Sequence, residues 1–438
     1  MSHARPRGLI ITAPRSGAGK TTLALGLMRA LQQDGMRVQP FKVGPDYIDP
    51  AFHAAASGRA SINLDTWAMR RGLIDDLVAR YGVAADVCIV EGVMGLFDGA
   101  TVAGQSGKGS TADLAALTGW PVVLVLDVWA QAETAAAVAL GCKLYRDDVD
   151  FAGVVLNGVS SQRHEDAIAP AIRALGLPVL GSMPRRTDIN LPERYLGLVQ
   201  ALETEQLDAR LNNMAALVRS AVRVDVLLEV AAPLRAREPA PAAAELRAAV
   251  PPAQRIALAQ DDAFSFVYTH IMDGWRRAGA EIVPFSPLDD EAPKSDCDAV
   301  WLPGGYPELH APVLSGAANF RRGMHHAAER GIPIHGECGG YMVLGAGLKT
   351  PDGCRHEMLG MLGLETSLAT RELHLGYRYA VSPSGDRAYG HEFHYAKVLK
   401  NPDPPFAEIR DAGGNCVADQ GARRGPVTGT FFHLIDGE

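Results

Sequence analysis

The 438-residue sequence has no apolar run that approaches the roughly 18 residues needed to cross a bilayer, so no membrane association is expected. The apolar stretch at residues 8–11 is too short for the core of a signal peptide. The six cysteines form no Cys-x-x-Cys pair, which argues against zinc and disulfide frameworks and favours a reduced, cytoplasmic protein. Basic side chains number 42 against 50 acidic ones, so a nucleic-acid binder, which needs a basic face, is not expected.

What the sequence does contain is the composition of a protein with large cores, since 47% of its residues are hydrophobic and 21% are charged. Its length suits two or three domains. Residues 233–253 hold five prolines among alanines and charged residues, a composition typical of a semi-rigid linker. A long surface loop within one domain is the alternative. We predict domains at residues 1–232 and 254–438, joined by a linker at 233–253.

Short apolar segments alternate with helical patterns on both sides of this linker. Those on the N-terminal side are nearly continuous in apolar residues, as expected for parallel strands buried on both faces. The predicted strands are residues 8–12, 38–43, 86–90, 121–127, 151–157 and 179–183, and then 255–260, 281–285, 299–302 and 332–335. Helices are predicted at 22–31 and, from apolar spacing, at 264–275. The fold class is therefore α/β, with a doubly wound, mostly parallel N-terminal sheet and a second α/β domain.

A phosphate-binding loop follows the first predicted strand. Residues 13–22 read Ala-Pro-Arg-Ser-Gly-Ala-Gly-Lys-Thr-Thr, and Lys20 is one of only eight lysines in the chain. Glycines let backbone N–H groups turn towards phosphates, the lysine reaches the β- and γ-phosphates, and the threonine hydroxyl can ligate Mg²⁺. Pro14 occupies the first glycine position of the strict pattern, so the match is to the looser Gly-Lys-Thr loops. The candidate ATP ligands are Gly17, Gly19, Lys20, Thr21 and Thr22.

Carboxylates follow the next two long predicted strands. Asp46 and Asp49 lie in Lys-Val-Gly-Pro-Asp-Tyr-Ile-Asp-Pro at 42–50, and Glu91 opens Glu-Gly-Val-Met-Gly-Leu-Phe-Asp-Gly at 91–99. Because ligands gather at the carboxyl ends of parallel strands, Asp46 and Glu91 are expected near the phosphate loop. Mg²⁺ is bound by one or two carboxylates together with phosphates. We therefore predict Thr21, Asp46 and Glu91 as metal ligands, with an orienting role as the alternative for the two carboxylates. Taken singly, each carboxylate could instead be a cap or a solvated turn residue.

These two segments resemble the signatures of the cobyrinic acid and hydrogenobyrinic acid a,c-diamide synthase family, which is related to dethiobiotin synthetase. The resemblance implies a P-loop synthetase domain that uses ATP and Mg²⁺ to activate a substrate carboxylate. The residues that it assigns to ATP, Mg²⁺ and this carboxylate are Lys20, Thr21, Asp46, Asp49 and Glu91. It further implies that Lys42 contacts phosphate. Asn157 resembles the asparagine that reads adenine, with a turn asparagine as the alternative, and Arg15 is either a functional cation or a solvent-facing side chain.

A candidate nucleophile lies in the second domain. Residues 334–341 read Ile-His-Gly-Glu-Cys-Gly-Gly-Tyr, a strand followed by a sharp turn and the start of a helix. A nucleophile elbow needs small neighbours because its turn is tightly packed, and a helix N-terminus stabilises a thiolate. Cys338 is thus predicted to attack a carboxamide, forming a thioester and releasing ammonia. Glycines after another predicted strand could supply backbone N–H groups to an oxyanion hole; the candidates are Gly304, Gly305 and Gly339.

A general base must lie near this thiol, and His433 is our choice among 13 histidines. Together with Cys338 and the glycine loop, it resembles the class I glutamine amidotransferase domain over residues 255–438. That domain usually has glutamate two residues after the histidine, where this chain has Ile435, followed by Asp436. The resemblance to the cobyrinate and cobyrate synthase branch implies that no orienting glutamate is present, so we predict a Cys338–His433 dyad.

The segment Gly-His-Glu-Phe-His-Tyr at 390–395 also resembles a family segment. His391 and His394 are three residues apart, which could suggest a metal site. The sequence arranges no cysteine or carboxylate ligands around them. Contact with a large substrate or a packing role is the favoured interpretation.

An ATP-dependent half joined to an ammonia-generating half implies amide synthesis through an acyl phosphate. In the family, the a and c acetate groups of a corrin macrocycle become amides, with L-glutamine as the nitrogen donor. The motifs do not decide between cobyrinate and hydrogenobyrinate, although the alanine-rich, arginine-over-lysine composition favours hydrogenobyrinate. The alternatives are a cobyric acid synthase, a partitioning-type P-loop ATPase switch and a dethiobiotin-synthetase-like enzyme. We also predict a homodimer.

Overall fold

The computed structural model describes residues 5–186, 189, 191–194, 197–235, 250–381 and 385–437. The chain forms two compact units, Met1–Ala244 and Glu245–Glu438. The predicted linker lies largely outside the described residues, since 236–249 are not among them. Its first residues are hydrogen-bonded within the N-terminal unit, where Leu234 donates its N–H to Pro6 and Arg235 donates its N–H to Thr118. The predicted domain limits stay a prediction.

The N-terminal unit is built on an eight-stranded sheet. Seven strands are parallel in the order β3-β2-β4-β1-β5-β6-β7, and β10 pairs antiparallel with the start of β1. The strands are β1 (Arg7–Thr12), β2 (Val38–Val43), β3 (Ile62–Leu64), β4 (Val87–Glu91), β5 (Val122–Asp127), β6 (Phe151–Val159), β7 (Val179–Pro184), β8 (Glu193–Arg194), β9 (Gly197–Leu198) and β10 (Ala232–Pro233). All six predicted N-terminal strands are present, whereas the three-residue β3 was too short for apolar patterning to reveal.

The strand order explains where ligands can bind. The chain moves from β1 to β2 and β3 on one side, returns to β4 between β1 and β2, and continues on the other side with β5. This reversal places the carboxyl ends of β1, β4 and β2 side by side at a switch point of a doubly wound sheet. The helices are α1 (Lys20–Gln33), α2 (Asp49–Ser57), α3 (Arg71–Gly82), α4 (Thr111–Thr118), α5 (Thr134–Tyr145), α6 (Gln162–Ala174), α7 (Leu207–Ala221) and α8 (Val224–Val230), with a 3₁₀ turn at Ala201–Glu203.

The C-terminal unit contains one mostly parallel sheet and two four-stranded sheets. The orders are β12-β11-β13-β14-β23-β22, β16-β15-β17-β20 and β21-β18-β19-β24. The strands are β11 (Arg255–Ala259), β12 (Glu281–Phe285), β13 (Ala299–Leu302), β14 (Ile334–Glu337), β15 (Gly347–Lys349), β16 (Arg355–Glu357), β17 (Glu365–Ser367), β18 (His374–Val381), β19 (Arg387–His394), β20 (Lys397–Lys400), β21 (Glu408–Asp411), β22 (Ala422–Arg424), β23 (Val427–Thr430) and β24 (His433–Gly437). The helices are α9 (Thr269–Arg277), α10 (Ala311–Gly316), α11 (Ala318–Glu329) and α12 (Gly339–Leu344), with 3₁₀ turns at Pro287–Asp289 and Pro307–Leu309.

The predicted helix at 264–275 is wrong in its first half, because α9 begins only at Thr269. Phe264 is fully buried although it lies outside any helix. The backbone N–H of Phe266 donates to the carbonyl of Gly304 at 3.0 Å, which fixes the segment in an extended form against the glycine loop. Apolar residues at helical spacing here fill the space beneath that loop.

Among the described residues, none of the helices has the length and apolarity required to cross a membrane. The α/β class predicted for both halves is confirmed, and the sheets position two clusters of polar residues, one in each unit.

Candidate functional site

The phosphate loop connects β1 to α1 and is shaped by two glycines. Gly17 has φ +72° and Gly19 has φ +97°, a left-handed conformation that side-chain-bearing residues rarely adopt. Because α1 begins at Lys20, the first N–H groups of the helix have no acceptor within the helix. The Lys20 ammonium donates to the carbonyls of Arg15, at 3.2 Å, and Met94, at 2.6 Å. Burial lowers its pKa, partly offset by nearby Glu91.

Asn157 and Arg15 both lie against this loop. The Asn157 Nδ2 group donates to the carbonyl of Ala18 at 3.0 Å, and a Cβ placed on Gly19 would lie 2.3 Å from the same nitrogen. Glycine is therefore needed at position 19 for packing as well as for φ. Arg15 forms an ion pair with Asp127 and leaves 63% of its side chain exposed. Its side chain is thus solvent-facing, and the adenine contact of Asn157 stays a prediction.

Thr21, the second residue of α1, and Glu91 are joined in a network of hydrogen bonds. The Thr21 hydroxyl donates to Glu91 Oε1 at 2.5 Å, and His53 Nε2 lies 2.7 Å from Glu91 Oε2. Since an ionised carboxylate only accepts, His53 donates through Nε2, and its Nδ1 lies 3.1 Å from the Ser61 hydroxyl. Burial alone would raise the pKa of Glu91, but His53 and the nearby Lys42 outweigh it and lower the pKa to about 2.

The sequence patterns did not single out His53. It lies on α2, has no exposed surface, and is not part of a recognisable sequence motif. Its role becomes visible only when α2 packs beside β4. A buried histidine fixed at both ring nitrogens holds the Glu91 carboxylate in one orientation, beside the Thr21 hydroxyl.

Lys42 contacts the two remaining predicted carboxylates, those of Asp46 and Asp49. Its ammonium lies 3.1 Å from Asp49 Oδ2 and 3.7 Å from Asp46 Oδ2, and it donates to the Gly92 carbonyl at 3.0 Å. Burial opposes the charge on Lys42, but the surrounding carboxylates outweigh it and raise its pKa. Asp46 also accepts the N–H groups of Ile48 and Asp49, so it caps the turn into α2. Lys42 is therefore a charged bridge between the ends of β2 and β4.

The oxygen set at this switch point suits Mg²⁺. Hydroxyl and carboxylate oxygens are the protein ligands that this ion accepts, alongside phosphates and waters. Thr21 offers a hydroxyl oxygen and Glu91 a carboxylate oxygen, and these two atoms lie 2.5 Å apart at the start of α1. Asp46 lies on the far side of the Lys42 bridge, and two backbone N–H groups already occupy its Oδ1. The residues present fit a magnesium ion, and Thr21 and Glu91 are the two predicted ligands that are in hydrogen-bond contact with each other.

In the C-terminal unit, Cys338 stands between β14 and α12 with φ +47° and ψ −103°. A non-glycine residue in this region is strained, and such strain is typical of a nucleophile elbow. The residue is held in place by its N–H, which donates to the Thr430 carbonyl at 2.8 Å. Burial raises the pKa of the thiol, as does Glu308, and the Gly339 N–H opposes the shift. The resting residue is thus a neutral thiol that needs a base.

The three predicted oxyanion-hole glycines lie around this thiol. A Cβ on Gly304 would lie 2.6 Å from His433 Cε1 and 3.3 Å from Cys338 Cβ. A Cβ on Gly339 would lie 3.0 Å from the Gly305 backbone nitrogen, so the backbones of these two glycines are in close contact. A side chain at position 304 would clash with the base, His433, and one at position 339 would clash with the backbone of Gly305. The structure therefore brings the predicted nucleophile, base and glycines into one site.

His433 is 1% exposed, and its ring is stacked on His391 with centroids 4.9 Å apart and planes at 17°. Burial lowers the pKa of His433 to about 3. Its Nδ1 lies 3.8 Å from Glu337 Oε2. Ile435, which occupies the usual glutamate position, is a buried core residue. The sequence patterns missed both Glu337 and His391 as neighbours of the base.

His394 belongs to a different cluster from His391. Ligand atoms of His374, Glu392 and His394 lie within 4.8 Å of one another, and His394 Nε2 is 2.9 Å from Glu392 Oε1. Arg378 donates to the other oxygen of Glu392 at 2.7 Å. This guanidinium offsets the carboxylate charge, which weakens the case for a divalent cation. These side chains line a cavity of about 650 Å³ together with Phe431.

The two units correspond to two known domain families. Residues 9–199 match the CobQ/CobB/MinD/ParA nucleotide binding domain, and residues 255–437 match the CobB/CobQ-like glutamine amidotransferase domain. The fold and the sites thus define a nucleotide-binding P-loop domain fused to a glutamine amidotransferase.

Similar full-length proteins identify the family. The chain is 55% identical over 439 residues to the hydrogenobyrinate a,c-diamide synthase of Rhodobacter capsulatus, and the match covers 99% of each chain. The enzymes of the same name from Mesorhizobium japonicum and Agrobacterium fabrum are 51% and 48% identical, each over 98% of both chains. The chain belongs to the hydrogenobyrinate a,c-diamide synthase family and is a glutamine-hydrolysing carbon–nitrogen ligase of cobalamin biosynthesis.

Proposed function

We propose that this enzyme amidates the a and c acetate carboxylates of hydrogenobyrinate, using ATP to form an acyl phosphate and glutamine to supply ammonia. One observation carries the proposal: the same chain holds two kinds of site. The first is a phosphate loop followed by Thr21, which donates a hydrogen bond to Glu91, and the second is a thiol at a nucleophile elbow. The names of the full-length relatives support hydrogenobyrinate over cobyrinate. They also favour this reaction over a cobyric acid synthase, a partitioning ATPase and a dethiobiotin-synthetase-like enzyme.

The N-terminal unit must convert the substrate carboxylate into a better acyl donor. Magnesium, when bound, neutralises phosphate charge, and Thr21 and Glu91 would hold it. Lys20, at the first position of α1, places a cation where charge builds on the transferring phosphoryl group. The glycine turns at 17 and 19 direct backbone N–H groups to phosphate oxygens, with Thr22 following on the helix. Lys42, fixed by Asp46 and Asp49, offers a positive charge for the substrate carboxylate or a phosphate.

In the C-terminal unit, Cys338 attacks the glutamine carboxamide after its proton passes to His433. The new bond joins Sγ to the amide carbon, and the oxyanion that forms is stabilised by backbone N–H groups of the glycine set. His433 then returns its proton to the leaving nitrogen, so ammonia departs and a thioester remains. Water hydrolyses the thioester to glutamate. Ammonia displaces phosphate from the acyl phosphate and yields the amide.

Two further expectations accompany the proposal. The six cysteines are free thiols, and we infer a cytoplasmic location from them. The homodimer stays a prediction. The corrin macrocycle and L-glutamine are the substrates that the proposal requires, with ATP and Mg²⁺.

The proposal is tested by following product mass on two substrates. With ATP, Mg²⁺ and glutamine labelled with ¹⁵N in the side-chain amide, hydrogenobyrinate is expected to take up two labelled amides. Cobyrinate, which carries cobalt in the ring, is expected to react much more slowly. Equal turnover of both would remove the substrate assignment, and label uptake at other side chains would favour a cobyric acid synthase. Phosphate release without any amide would instead favour an ATPase switch.

A further inference from the structure

The base of the glutaminase site needs a partner that the usual sequence position does not supply. When a histidine takes a proton from a nucleophile, its other ring nitrogen must hold a proton and donate it to an acceptor, which fixes the tautomer and stabilises the imidazolium. At the usual position this chain has Ile435, which is 1% exposed and apolar. The next residue, Asp436, accepts the N–H of Gly437 at 2.9 Å, and its charge acts on His270. Position 435 therefore offers His433 no side-chain acceptor.

Glu337 occupies the required place. Its Oε2 lies 3.8 Å from His433 Nδ1, and its Oε1 accepts the backbone N–H of Leu434 at 3.2 Å. The carboxyl group is thus anchored to the residue that follows the base. Burial raises the pKa of Glu337 to about 8, and the hydrogen bond from Leu434 opposes this shift. Both side chains are at least nine-tenths buried. The Cε1 atom of His433 faces Gly304 beside Cys338. Because Nδ1 faces Glu337, Nε2 is the ring nitrogen left to accept the thiol proton.

The carboxylate also stands on a rigid element. Glu337 is the last residue of β14, and it is paired in register with Thr430 of β23, next to the strained Cys338. Nucleophile and carboxylate are therefore consecutive residues, and both lie close to the base. A shortening of about 1 Å would bring the 3.8 Å separation into hydrogen-bond range, and such contacts often tighten only when substrate is bound.

We propose that Glu337 is the positioning residue of the glutaminase site: it accepts the Nδ1 proton of His433 and thereby replaces the glutamate that is absent at position 435. This inference rests on the proposed Cys338–His433 glutaminase and extends the predicted dyad to a triad of Cys338, His433 and Glu337. The third member precedes the nucleophile in the chain instead of following the base.

Glutamine at position 337 gives a selective test, because its shape matches that of glutamate. Its carbonyl oxygen must keep the place of Oε1, since the Leu434 N–H is a donor. Its amide N–H₂ group then faces His433 Nδ1 and donates to it. That favours the tautomer with the proton on Nε2, which cannot accept a proton from the thiol.

We expect Glu337→Gln to lower kcat for glutamine hydrolysis by about 10²-fold or more, with KM for glutamine little changed. Glu337→Ala removes the carboxylate without imposing the wrong tautomer, so its loss in kcat should be no greater than that of the glutamine variant. A purely structural role predicts the opposite order, because alanine leaves a cavity and glutamine does not. Amidation driven by added ammonium salts should stay at the wild-type level in both variants, which reports that they are folded.

The matched control is Asp436→Asn, a buried carboxylate on the strand of the base, which should retain kcat within about threefold of wild type. His433→Ala is measured in parallel. If His433→Ala keeps glutaminase activity, the proposed dyad itself fails. If His433→Ala is inactive while Glu337→Gln has wild-type kcat, only the role of Glu337 is overturned. A loss at Asp436 that exceeds the loss at Glu337 would likewise assign the acceptor to Asp436.

Discussion

Replacing Cys338 by serine is expected to abolish glutamine-driven amidation while leaving amidation from ammonium salts unchanged. The thiol is the proposed source of ammonia from glutamine, and it takes no part in the proposed activation of the substrate carboxylate. Removing a catalytic nucleophile costs several orders of magnitude, so we expect at least about a 10³-fold fall in glutamine-dependent kcat. The measurement is product formation with each nitrogen source at saturating ATP.

The matched control for this variant is Cys297→Ala, which removes a second buried thiol from the same unit. It lies outside the elbow, so glutamine-dependent turnover should stay within about threefold of wild type. A Cys338→Ser protein that is folded but has lost ammonia-driven activity as well would contradict the division of labour between the two units.

Lys20→Ala is expected to lose amidation with both nitrogen sources. The variant removes the ammonium that faces developing charge on the transferring phosphoryl group, and it leaves the carbonyls of Arg15 and Met94 without their donor. Loss of one such preorganised donor typically costs roughly 10²-fold or more in turnover, and the effect should appear in kcat. Basal hydrolysis of glutamine at Cys338, measured without ATP, should stay at the wild-type level.

Lys108→Ala is the control for this change, since it removes an exposed lysine from the same unit and should leave both activities intact. If Lys20→Ala kept ammonia-driven amidation, the phosphate loop would not take part in carboxylate activation. If it lost basal glutamine hydrolysis as well, the two units would have to be coupled in a way that the proposal does not include.

Much of the sheet architecture could be predicted because buried parallel strands leave continuous apolar runs. The phosphate loop could also be predicted, because its strand, glycines, lysine and helix follow one another directly in the sequence. The same holds for the cysteine elbow at 334–341. In contrast, strands such as β16, β18 and β20, which pair antiparallel with their neighbours, have partly exposed faces and mixed polarity, so no apolar run marked them.

Residues that act through buried contacts could not be found in this way. His53 becomes a partner of Glu91 only because α2 packs beside β4, a pairing 38 residues apart in the chain. Glu337 is hidden from sequence patterns for a different reason: the usual orienting carboxylate lies two residues after the histidine, whereas Glu337 lies far before it in the chain. The pairing of β14 with β23 brings residue 337 to the base from 96 positions away.

The central claim is that the substrate carboxylate is activated as an acyl phosphate before ammonia attacks. It is tested most directly with hydrogenobyrinate labelled with ¹⁸O in its carboxylates, in the presence of ATP, Mg²⁺ and ammonium, followed by mass analysis of the released phosphate. An acyl phosphate transfers one carboxylate oxygen to phosphate for each amide formed, so labelled phosphate and amide should appear in equal amounts. Amide formed together with unlabelled phosphate would contradict the mechanism, even if every residue assignment were correct.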